Sequence, residues 1–110
     1  MNLQDRVERY FGHVRDRDLE GLSTLFAEEA VVILPDGREL VGLAAIRGMY
    51  QQLFGSGAPS PTPLGTILGE GAAATEIEAR LPDGSIRRTA NFFRFDPEGR
   101  VIGMNVYRRG

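Results

Sequence analysis

Apolar residues recur at helical spacing in the first half of this chain and at every second position in its last third. The segment from Gly55 to Pro63 divides the two regimes with two glycines, three prolines and two serines. Neither a helix nor a central strand runs through such a segment, because proline lacks the N–H and glycine lacks the stiffness. Helices first and a β-meander last make an α+β fold.

The helical half reads in three pieces. Leu3, Val7, Tyr10, Phe11 and Val14 form one face, opposed by Asp5, Arg6, Glu8, Arg9 and Arg15. Asp18 is placed to cap a second helix, whose apolar side is Leu19, Leu22, Leu25 and Phe26. The chain turns β-like from Ala30 to Leu34, turns at Pro35-Asp36-Gly37, and can return as a short strand over Arg38 to Val41. Gly42 opens a third helix that buries Leu43, Ile46, Met49, Tyr50 and Leu53. Beyond the loop, Thr66 to Leu68 is a strand. Ala72 to Leu81 sets Thr75, Ile77 and Ala79 against Glu76, Glu78 and Arg80. Pro82-Asp83-Gly84-Ser85 and Asp96-Pro97-Glu98-Gly99 are hairpin turns that lead into strands over Ile86 to Phe95 and Arg100 to Arg108.

The 110 residues suffice for a single domain, 1–110, with 42% apolar and 25% charged residues. No apolar run approaches the ~18 residues of a membrane span, and the first residues lack a signal-peptide layout, so a cytoplasmic protein without a membrane partner is expected. Thirteen basic against fifteen acidic residues give a net charge of −2, which argues against nucleic acid as a partner. Without cysteine and with one histidine, His13, the chain is expected to hold no metal. None of the four serines lies in a nucleophile elbow.

Local wording along the chain resembles the ketosteroid isomerases and their SnoaL-like relatives of the NTF2-like superfamily. It runs through Arg9-Tyr10, Asp18-Leu19-Glu20-Gly21, Leu25-Phe26-Ala27, Ala30, Val32 and Pro35, then Gly42 to Arg47. It ends in Asn91-Phe92-Phe93-Arg94-Phe95 with Gly99, Val101 and Met104. The resemblance implies a cystatin-like cone: three helices packed on a curved antiparallel sheet around a pocket. It also implies a cofactor-free enzyme acting on an apolar carbonyl compound such as a steroid, terpenoid or polyketide.

The family's isomerases hold a developing enolate with a tyrosine and a protonated acid while an aspartate shuttles the proton. In this chain the tyrosine falls on Tyr10, the acid on Asn91 and the shuttle on Leu34. An amide still donates a hydrogen bond, whereas leucine moves no proton. Asp36, two residues on, offers a displaced base in competition with its role in the turn. The pocket wall is expected from Val14, Leu34, Met49, Phe93, Phe95, Met104 and Val106. The Asp–Arg–Asp set of the epoxide-hydrolase branch has no clear counterpart, although Asp83, Arg87 and Arg94 are present. The alternative reading is a ligand-binding or accessory module of the same fold without catalysis. In either case alternation turns Phe92, Asn105 and Tyr107 outward, and this face is expected to form a homodimer.

Overall fold

The computed structural model describes residues 2–109. Helix α1 (Leu3–Arg15) starts at Asn2, whose side chain accepts the Asp5 N–H, and it buries Val7, Tyr10, Phe11 and Val14. That face is the one its 3.6-residue period marks out. Helix α2 (Leu19–Ser23) is a short turn capped by Asp18, which accepts the Gly21 N–H at 2.9 Å. It ends before the expected Leu25 and Phe26, which lie at the entry to strand β1 (Phe26–Ile33). Both side chains are buried there all the same, at 4% exposure each.

Strand β2 (Glu39–Val41) pairs back on β1, and helix α3 (Leu43–Gly55) follows, burying Ile46 and Tyr50. Gly42 at its start has φ 91°, a left-handed conformation that glycine reaches without steric cost. Leu53, expected on the buried face, is exposed. The remaining strands are β3 (Thr62–Gly69), β4 (Ala72–Arg80), β5 (Ile86–Phe95) and β6 (Val101–Arg109).

The six strands form one sheet in the order β2-β1-β6-β5-β4-β3. All neighbours are antiparallel except β1 and β6, which run parallel, so the sheet is mixed where a purely antiparallel one was expected. Val101 and Leu25 tie that junction with a 2.7 Å backbone bond. Strand β3 starts four residues earlier than the expected Thr66 and takes in Pro63. It lies at the sheet's edge, with a register shift at Pro63–Gly65, where a missing N–H breaks no central ladder.

Alternation divides each strand between two faces. Phe93 and Met104, each 1% exposed, face the helices with Asn91, and Phe92 and Tyr107 face outward. The core is one cluster between α1, α3 and the inner sheet face, centred on Tyr10, Phe26, Tyr50 and Phe93. No helix among the described residues is long and apolar enough to cross a membrane.

Candidate functional site

Between the helices and the inner sheet face lies a cavity of about 620 Å³, within the size range of small-molecule sites. Five of the expected wall residues line it: Val14, Leu34, Met49, Met104 and Val106. Phe93 and Phe95 do not. The ring of Tyr10 crosses that of Phe93 edge-on at 5.2 Å and Phe11 does so at 6.3 Å, so α1 closes over this part of the sheet. Phe95 stacks on Phe93 at 6.0 Å in the same packed end. The open space lies toward the other end of β5, where Arg87, Thr89 and Asn91 share a face.

Tyr10 and Asn91, both 5% exposed, meet at the inner end of this space. The Tyr10 hydroxyl is hydrogen-bonded to that of Tyr50, which comes from α3. Burial pushes the Tyr10 phenol up to about 12, against the lowering effect of hydrogen bonds from Tyr50 and Asn91. Tyr50 is pushed well above the ordinary phenol value, first by burial and then by its neighbour Tyr10. Either hydroxyl can donate in this shared bond.

Sequence reasoning placed Tyr50 on the buried face of the third helix and assigned it no part in the site. The available signal was a phenol four residues after Ile46 on an apolar face, since a buried hydroxyl needs a partner.

Leu34 lies at the cavity wall just after β1, partly buried, and carries no group able to accept a proton. Asp36 is at the cavity's edge but is engaged in its own turn. Its carboxylate accepts the Arg38 N–H at 3.0 Å and the Arg38 Nε–H at 2.8 Å. These bonds hold its pKa below the ordinary carboxylate range, with the backbone bond from Arg38 the largest cause. The words Leu-Pro-Asp-Gly at 34–37 recur at 81–84, where Asp83 likewise accepts the N–H two residues on, from Ser85. The backbone closes in the same way in both, through Leu34 N to Arg38 O and Leu81 N to Ser85 O. Asp36 is therefore built as a turn residue.

His13 lies 3.3 Å from Asp18 at the junction of α1 and α2, away from the cavity lining. Asp83, Arg87 and Arg94 do not assemble: Asp83 closes a turn, Arg87 lines the cavity, and Arg94 lies over Gly103 on the outer face. The cavity also takes in Arg38, Arg87, Thr89 and Arg108, none of which the sequence reading assigned to the site.

The SnoaL-like domain family matches residues 7–104 of this chain. Comparison with curated protein sequences gives no match. Among solved structures, an NTF2-like protein of unknown function from Mesorhizobium loti superposes with a TM-score of 0.86 at 21% identity, covering 98% of this chain and 91% of its own. SalBIII, an epoxide hydrolase/cyclase-like enzyme of pyran ring formation in the polyether salinomycin, gives 0.83 at 20% identity, covering 97% of this chain and 90% of its own. A steroid delta-isomerase from Pseudomonas aeruginosa gives 0.82 at 19% identity, with 98% and 80% covered. At these identities the likeness is one of fold.

Proposed function

The chain belongs to the SnoaL-like family of NTF2-like proteins, and from that premise we propose that its cavity binds an apolar, carbonyl-bearing small molecule and stabilises the oxygen of its enolised form. The observation that carries this reading is the buried pair of Tyr10 and Tyr50 hydroxyls, set beside the Asn91 amide in a cavity whose lining includes Val14, Leu34, Met49, Met104 and Val106. Two fixed donors in a low-dielectric cavity favour a developing negative oxygen more than water does, since their dipoles need no reorientation. The high Tyr10 pKa keeps the proton on the phenol, so it acts by donating a hydrogen bond and not by giving up the proton.

The reaction class is an isomerisation or cyclisation, the chemistry named for the steroid delta-isomerase and SalBIII. A second reading, binding without turnover, is favoured by Leu34 in the place of the family's base and by the engagement of Asp36 with Arg38. The two separate in an absorbance assay of a β,γ-unsaturated steroid ketone becoming conjugated. A positioned base contributes about 10²–10⁴ in rate, so wild type is expected to be slow and Leu34→Asp at least about tenfold faster. Adding Tyr10→Phe is expected to abolish the gain. A folded Leu34→Asp protein with no gain rejects a working oxygen-binding pair next to position 34.

The same reading includes a homodimer through the outer sheet face at Phe92, Asn105 and Tyr107. Phe92 and Tyr107 are 46% and 55% exposed and contact each other edge-on at 5.4 Å. Beside them the Asn105 Nδ2 donates to the Tyr107 hydroxyl at 3.5 Å.

A further inference from the structure

Four charged side chains line the cavity: Asp36, Arg38, Arg87 and Arg108. Asp36 and Arg38 neutralise one another at 2.8 Å. Arg87 and Arg108 form no ion pair among the described residues. Of the other arginines on the sheet, Arg88 meets Glu78 at 3.0 Å, while Arg80, Arg94 and Arg109, which do not line the cavity, form no ion pair among the described residues either. Alternation separates Arg87 from its neighbour Arg88. Glu76 and Glu78 of β4 point outward, and the position opposite Arg87 on the inner face is Ala79. Two like charges are thus held on one face with no acid supplied to balance them.

Their position is fixed by register. Arg108 is paired with Thr89, two residues from Asn91 along β5, and Arg87 is four residues from it. At about 3.3 Å per residue, an anion held between the two guanidiniums lies roughly 7–13 Å from the Asn91 amide. Ile77, Thr89 and Val106 line the interval.

We infer that the ligand is an amphipathic acid: an oxygen at its inner end on Tyr10 and Asn91, an apolar body, and a carboxylate at its outer end on Arg87 and Arg108. This inference rests on the oxygen-binding reading of the inner site and adds the class of molecule that fills the rest. Guanidinium forks match carboxylate oxygens, and the apolar body carries the acid into a pocket that a small free anion has no reason to enter.

The test uses 6-hydroxy-2-naphthoic acid and its methyl ester, which share a hydroxyl and a body but differ in the charge at the far end. At low salt the acid is expected to bind about tenfold more tightly than the ester. In Arg87→Gln/Arg108→Gln, checked for folding by circular dichroism, that advantage falls to about unity while the ester's affinity stays within about twofold. The double lysine variant, which keeps both charges, retains part of the advantage. Equal binding of acid and ester to wild type overturns the inference, as does an advantage that survives the double glutamine variant. Inorganic phosphate displacing the acid beyond the effect of sodium chloride at equal ionic strength also overturns it, by marking a free-oxyanion site. Tyr10-dependent binding of the ester without preference for the acid overturns this inference alone. Failure of both probes to bind overturns the oxygen-binding reading with it.

Discussion

Tyr10 owes its chemistry to what surrounds it. Phe11 and Phe93 meet its ring edge-on at 4.9 and 5.2 Å, and Tyr50 takes up its hydroxyl. With its pKa pushed from 10.0 to about 12, the folded protein holds a proton that the unfolded chain releases first as pH rises. The unfolded state then binds fewer protons, so the stability contributed by the neutral phenol is complete below pH 10 and is lost between pH 10 and about 12. Thermal melts across that window are expected to fall less steeply for Tyr10→Phe than for wild type. An equally steep fall would remove Tyr10 as the group responsible. The same variant leaves the buried Tyr50 hydroxyl without its partner and is expected to cost about 1–3 kcal/mol at neutral pH. Asp36 presents the opposite case. Its bonds to Arg38 favour the ionised form, which weakens it as a base, so Asp36→Asn is expected to change turnover or ligand binding by less than about twofold, no more than Asp83→Asn does. A loss of a hundredfold confined to Asp36→Asn would make it the proton acceptor.

The elements that position these residues were legible to different degrees. Helices α1 and α3 and the two long hairpins follow from periodicity and turn residues, because an amphipathic face and an Asp-Gly or Glu-Gly turn are local signals. The boundary between α2 and β1 was not, because Leu22, Leu25 and Phe26 satisfy a helical spacing while Phe26 also opens an apolar β-run. Leu25 is buried in the turn before the strand and Phe26 in the strand itself. The parallel pairing of β1 with β6 joins residues that lie far apart in sequence, as Val32 does with Met104, and no local pattern encodes that choice. Within the site, Tyr10 and Asn91 were found through the family resemblance and through alternation. Tyr50 and the two inner-face arginines were missed because each also has an ordinary role, in a core or at a solvated strand end. Helix α2 rests on one cap: Asp18 accepts the Gly21 N–H and faces His13. Asp18→Ala is expected to cost about 1 kcal/mol in chemical denaturation. A cost below about 0.3 kcal/mol would show that Arg47, bound to Ser23 and Glu20, holds the turn without the cap.

At the scale of the molecule, the sheet separates two tasks. Its inner face carries the cavity, lined by the buried Tyr10 and Asn91 and by the exposed Arg87 and Arg108. Its outer face carries the aromatic pair Phe92 and Tyr107. If that face joins two copies, Phe92→Glu is expected to yield a monomer in sedimentation at micromolar concentration with an intact fold, since an unpaired buried carboxylate opposes association. A wild-type monomer under the same conditions would end the dimer proposal.

Joint binding of a negative oxygen by Tyr10 and Asn91 can be measured by titrating 2-naphthol into wild type and Tyr10→Phe above and below the naphthol's own pKa. The bound naphthol is expected to ionise more readily than the free one, and Tyr10→Phe to weaken the ionised form at least about tenfold more than the neutral form. Equal loss of both forms would contradict it and leave Tyr10 a packing residue.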